Sequence, residues 1–135
     1  MPARKVSPKE ASELQTQGYT YVDVRSEVEF AQGHPKGSVN IPIAHKGASG
    51  MTPNPDFVKV FEANFLKEAK VIVGCLAGGR SAKAAEALTA AGYTDLIDQR
   101  AGFGGTQSEA GWVNAGLPTE TTGTSYQDLS KKAGL

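Results

Sequence analysis

The residues able to do chemistry are gathered in one octapeptide, Gly74-Cys75-Leu76-Ala77-Gly78-Gly79-Arg80-Ser81, which holds the chain's only cysteine. The apolar, β-branched run Val71-Ile72-Val73 precedes it, and the helix-forming run Ala82-Lys83-Ala84-Ala85-Glu86-Ala87-Leu88 follows. A strand, a short glycine-bearing loop and a helix start place the loop amides at a helix N-terminus. Unpaired N–H groups and the helix dipole favour an anion there. A thiol at the first loop position is expected to be favoured as the thiolate, its nucleophilic form. The adjacent glycines let the backbone turn its N–H groups inward, and Arg80 adds a fixed cation with several donors. Cys75 and Arg80 are the candidate catalytic residues. Leu76, Ala77, Gly78, Gly79, Arg80 and Ser81 form the candidate substrate-binding loop.

Each of these residues also has a plainer reading. A lone cysteine after a strand is commonly a small buried hydrophobe. Arg80 could be a surface arginine at a helix start, but the dipole disfavours a cation there, so an anionic partner explains it better. Gly74-x-x-x-x-Gly79-Arg80-Ser81 approaches a phosphate-binding loop pattern with arginine in place of lysine. Arginine is not a neutral replacement for that point charge, and no downstream strand ends in a convincing metal-binding aspartate, so nucleotide binding is set aside. His34 and His45 are separated by loops and Cys75 has no Cys or His close in sequence, so neither a metal nor a cofactor is expected. A structural hydrogen bond is the expected job of His34, in the turn His34-Pro35-Lys36-Gly37. Asp23 and Arg25 read as a structural or orienting pair, since an acid beside an anion cradle would oppose anion binding.

The elements that must position this loop follow from local signals. Ser7-Pro8-Lys9-Glu10 predicts a capped helix start, with the helix stopping at Gly18. Tyr19 to Val24 predicts a strand. Ser26-Glu27-Val28-Glu29 predicts a second capping box on a short helix closed by Gly33. Ser38 to Ile41 reads as a short strand and residues 44–53 as an exposed loop. Phe57, Val58, Phe61 and Phe65 fall at helical spacing and read as core. Val71 to Gly74 is the strand delivering the loop, and the helix after it turns Ala84, Ala85, Leu88 and Ala91 inward before ending at Gly92. Asp95-Leu96-Ile97 reads as a strand, then comes the glycine-dense run 101–105 and a last helix around Glu109 to Asn114. Residues 119–135 lack a core pattern and read as a flexible tail. The alternation predicts an α/β fold with a central, mostly parallel sheet flanked by helices on both faces. Ligands in such sheets sit at the carboxyl ends of strands, where Cys75 falls.

Totals narrow the classes further. The 135 residues suit one core, and the fourteen basic and fourteen acidic side chains cancel without forming blocks. No footprint for nucleic acid or a membrane surface is visible, and no apolar run approaches spanning length. A single cysteine makes no internal disulfide, so a reducing compartment is expected, cytoplasmic or, where a transit peptide has been removed, a plastid or other organelle.

The residues also resemble a known family. Asp23-Val24-Arg25 with Glu29-Phe30, Gly33-His34 and Gly37-Ser38-Val39-Asn40-Ile41-Pro42 is similar to the N-terminal signature of rhodanese domains. Cys75-Leu76-Ala77-Gly78-Gly79-Arg80-Ser81 resembles their active-site loop, and Trp112 with Gly116-Leu117-Pro118 their C-terminal signature, so the resemblance spans residues 4–118. It implies thiosulfate:acceptor sulfurtransferase chemistry: Cys75 takes the outer sulfur of thiosulfate as a persulfide and passes it to cyanide or a thiol such as glutathione or thioredoxin. A monomer or weak dimer is expected. The alternatives are a sulfur-carrier or protein-docking module with low turnover, and a phosphatase-like or arsenate-reductase-like activity. The latter is disfavoured because four residues separate Cys75 from Arg80, one fewer than in such relatives. The stretch from Gly104 to Trp112 is longer than the family's usual link there.

Overall fold

In a computed structural model that describes residues 3–135, the sheet is built where the β-branched runs fall. Its strands are β1 (Arg4–Val6), β2 (Thr20–Asp23), β4 (Val39–Asn40), β7 (Val71–Gly74) and β8 (Leu96–Gln99). They lie in the order β1-β8-β7-β2-β4 and every pairing is parallel. Val71, Ile72 and Val73 of the central β7 are fully buried, and side chains alternate between the two faces. Tyr21, Ile72 and Ile97 point to the face covered by α1 (Pro8–Gln15) and Trp112. Val22, Val71, Val73 and Leu96 point to the face covered by α3 (Phe57–Asn64) and α4 (Gly79–Ala90). Burying each large apolar side chain contributes about 1.5–3 kcal/mol before entropy is counted, so β7, buried along its whole length, anchors the loop that starts at Cys75.

The local start signals hold. Ser7 and Glu10 form a reciprocal capping box on α1, and Ser26 and Glu29 do so on α2 (Glu27–Gln32), with Gly33 closing it. The helix face through Ala84, Ala85 and Leu88 is buried as predicted, as are Phe57 and Phe61; Val60 is fully buried with them.

Four segments differ from the sequence-based expectation. His34–Pro35 is not a free turn but a short strand, β3, paired antiparallel with β9 (Thr119–Glu120). Residues 44–53 are not an irregular loop. Ala44–Gly47 (β5) and Gly50–Pro53 (β6) form a hairpin, mostly exposed and so without the apolar alternation that marks a strand. The helix expected at Glu109 to Asn114 is absent: the Thr106 hydroxyl accepts from the Ser108 and Glu109 amides, and Arg100 grips the Glu109 carboxylate with two hydrogen bonds. Side-chain bonds of this kind compete with a helix for the same backbone groups.

The fourth is the C-terminal segment, expected to be flexible. β9 pairs with β3, and α5 (Tyr126–Lys131) buries Leu129 in the core with α3. Long-range bonds hold it: the Asn64 amide donates to the Leu129 carbonyl, and the Asn54 amide to the Tyr126 hydroxyl. The His34 ring lies flat on Phe30 at 3.6 Å, with one nitrogen 2.7 Å from the Phe30 carbonyl and the other 2.6 Å from that of Thr122. The structural job expected of His34 is therefore that of pinning the C-terminal segment. None of the described helices is long and apolar enough to cross a membrane.

Candidate active site

The order of winding reverses at the pair β2 and β7, which are parallel neighbours in register with Asp23 beside Gly74. From β2 the chain moves outward to β4; from β7 it moves the other way, to β8. The crevice of an open α/β sheet opens at such a point, off the carboxyl ends of the strands. Two corners meet there, one carrying Asp23 and Arg25 and the other Cys75 to Ser81.

Cys75 directly follows β7 and is almost wholly buried, 2% exposed. It lines a cavity of about 370 Å³ whose other walls are Leu76, Ala77, Gly79, Arg80 and Lys83. The Gly78 N–H donates to Sγ at 3.1 Å. Gly78 adopts a left-handed φ of +102°, and a Cβ there would stand 2.3 Å from the Arg100 carbonyl oxygen, so the turn that aims this amide needs glycine. Among the described residues, no protein acceptor takes the N–H groups of Leu76, Ala77, Gly79 or Arg80. The loop thus offers donors at the start of α4, as expected, with one of them on the sulfur.

The underside of the loop is held by the 101–105 run. Phe103 N–H donates to the Cys75 carbonyl at 2.7 Å, and Gly104 N–H to that of Leu76 at 2.9 Å. Gly102 approaches so closely that a Cβ would lie 2.4 Å from the Leu76 oxygen. Gln99, fully buried, folds this run: its Oε1 accepts from the Ala101 and Gly102 amides, and its Nε2 donates to the Gly102 carbonyl and the Tyr21 hydroxyl. Gln99 belongs to none of the sequence motifs, although a glutamine closing a strand just before a glycine cluster is a usable signal.

Ser81 is buried on the far side of the loop. Its hydroxyl is 2.8 Å from Asp98 Oδ1 and 3.1 Å from the Gly78 carbonyl, so it ties the loop to the end of β8 instead of facing the cavity. Burial raises the Asp98 carboxyl above the ordinary aspartate range, opposed by the Ser81 hydrogen bond. Leu76 is 44% exposed at the rim.

Arg80 reaches the cavity, and it has the anionic partner that the helix dipole calls for. That partner is Glu29, which accepts from Nη1 at 2.6 Å and from Nη2 at 3.0 Å. Glu29 is fixed in place as the third residue of α2, where its Oε1 also takes the Ser26 amide and hydroxyl. The Arg80 fork, helped by Ser26, holds the Glu29 carboxyl down at about 2, and Glu29 in turn raises Arg80. The capping box explains only one of the two roles of Glu29; the other depends on a partner far along the chain.

Asp23 and Arg25 form the neighbouring corner. The guanidinium donates to both carboxylate oxygens, from Nε to Oδ1 at 3.0 Å and from Nη2 to Oδ2 at 2.7 Å, and reaches on to the Gly33 carbonyl at 2.6 Å. The Phe103 ring covers it, 4.3 Å from the guanidinium carbon. Burial pushes the Asp23 carboxyl up while Arg25 pulls it down. The pair fastens β2, the end of α2 and the 101–105 run, with both side chains almost wholly buried. His45 lies apart, 2.9 Å from Glu27, tying the hairpin to α2.

A central parallel sheet with a cysteine loop opening α4 at the switch point defines the class. The chain belongs to the rhodanese family, whose Rhodanese-like domain matches residues 7–109. It is 42% identical over 115 residues to thiosulfate sulfurtransferase 16, chloroplastic, of Arabidopsis thaliana, covering 85% of this chain and 91% of that protein. Thiosulfate sulfurtransferase GlpE of Haemophilus influenzae is 32% identical over 123 residues, 90% of this chain and 99% of that one. Among solved structures, Rv0390 from M. tuberculosis superposes with a TM-score of 0.75 at 28% identity, covering 90% of this chain and all of that one.

Proposed function

We propose that this protein is a thiosulfate sulfurtransferase working through a persulfide on Cys75. One observation carries the reading: Cys75 lines a cavity at the start of α4, with the Gly78 amide on its sulfur and neighbouring loop amides that no protein acceptor takes. An anionic sulfur is a stronger acceptor for that amide than a neutral thiol. The Cys75 thiolate attacks the outer sulfur of thiosulfate; the bond between the two thiosulfate sulfurs breaks, and its electron pair leaves with sulfite. The persulfide anion left on Cys75 occupies the amide-lined cavity. A second nucleophile then attacks its terminal sulfur. Cyanide leaves as thiocyanate and regenerates the thiolate; a thiol such as glutathione or reduced thioredoxin leaves as its own persulfide. Two half-reactions sharing one covalent intermediate require ping-pong kinetics.

Arg80 uses two N–H donors on Glu29, leaving three of its five for the oxygens of thiosulfate or departing sulfite. The names of the Arabidopsis and Haemophilus relatives support thiosulfate as donor, and the chloroplastic relative supports a plastid as the compartment. Treatment with thiosulfate is expected to add one sulfur atom to the intact mass of the wild type, removed by cyanide and never acquired by Cys75→Ser. An unchanged wild-type mass, or a Cys75→Ser variant that still releases thiocyanate, overturns the proposal.

A further inference from the structure

The cavity over Cys75 has two cationic side chains in its wall, and their charges are not equally available. Arg80 is matched in charge by the Glu29 carboxylate, which takes one N–H from each of its two terminal nitrogens. A matched pair acts at a distance as a dipole, whose field falls off faster than that of a lone charge. Lys83 lines the same cavity, and no carboxylate of the described residues lies within 4.0 Å of its ammonium. It follows Arg80 by three residues on α4, hence on nearly the same face and about 4.5 Å further along the axis. Of the residues lining that cavity Cys75 is buried, whereas Lys83 is exposed, on the solvent side of it.

We propose that Lys83, not the arginine of the loop motif, supplies the net positive charge that selects an anionic sulfur donor at this site. The assignment rests on the sulfurtransferase reading and adds the residue that sets donor preference. With its outer sulfur on the Cys75 thiolate, thiosulfate carries its three oxygens away from that buried residue, toward the solvent side. The donor is a dianion before attack and sulfite is a dianion after it, so Lys83 meets similar charge throughout. Such uniform binding acts on KM and leaves kcat nearly untouched.

The test is steady-state thiocyanate release by the full chain, with thiosulfate as the varied substrate. Lys83→Gln is expected to raise the thiosulfate KM about fivefold, the magnitude of one partly exposed ion pair, with kcat within about twofold of wild type. Lys83→Arg restores KM, and Lys83→Glu raises it further. Added salt, which screens exposed charges, raises the wild-type KM more than that of Lys83→Gln. A KM unchanged in Lys83→Gln, or a fall in kcat with no change in KM, overturns the assignment while the sulfurtransferase reading stands. A wild-type chain that takes no sulfur onto Cys75 overturns both.

Discussion

Two arginine–carboxylate pairs stand side by side at the carboxyl ends of β2 and β7, and they differ in what covers them. Asp23 and Arg25 are sealed, with side chains 2% and 4% exposed, and Phe103 closes the top. Glu29 and Arg80 keep 22% and 24% of their side chains open, and Arg80 borders the cavity over Cys75. The same ion-pair chemistry therefore does two jobs. A sealed pair cannot exchange partners without exposing a buried charge, so it serves as a rivet. An open pair trades contacts with water and anions cheaply, so it can stand beside a substrate without blocking it.

Removing each arginine in turn separates the two pairs by the widest margin. Arg25→Ala leaves the Asp23 carboxylate buried and uncompensated, and is expected to cost about 3–5 kcal/mol of stability, read as a lowered urea midpoint. Arg80→Ala is expected to cost about 1 kcal/mol or less, while raising the thiosulfate KM about tenfold, equivalent to ~1.4 kcal/mol, because three donors go and the Glu29 charge is uncovered. Equal losses of stability in the two variants would end the distinction between rivet and open pair.

A finer test uses Glu29→Gln, since glutamine keeps the helix cap. The folded-state carboxyl lies below its ordinary 4.5, at about 2. The pair's contribution to stability is therefore complete above pH 4.5 and lost as the pH falls toward 2. Glu29→Gln is expected to flatten that part of the acid-unfolding curve, and to lower the thiosulfate KM about twofold by uncovering the Arg80 charge. An acid limb as steep in the variant as in wild type would show that the pair contributes nothing.

Much of the site is legible in the sequence, because its logic is local. The run from Val71 to Ser81 encodes strand, loop and helix start within a few residues of each other, and the Cys75 neighbourhood follows from that order. The boxes Ser7–Glu10 and Ser26–Glu29 likewise close over three residues. The features that are not legible have partners far away or carry no apolar pattern. The β5–β6 hairpin is mostly exposed and has no apolar alternation to mark its strands. The 106–112 stretch yields its helical tendency to side-chain hydrogen bonds and to the Arg100 grip on Glu109.

The amino-acid sequence alone determined that one cysteine would stand at the end of a buried strand, before a glycine turn and a helix. Short-range sterics, capping and β-branched burial suffice for that. Only the tertiary structure decided which charges at that cysteine remain available. Glu29 reaches Arg80 across 51 residues of sequence, Asp98 reaches Ser81 across 17, and the C-terminal segment docks through His34 across 88. Such pairings depend on how the layers pack, which no window of neighbouring residues contains.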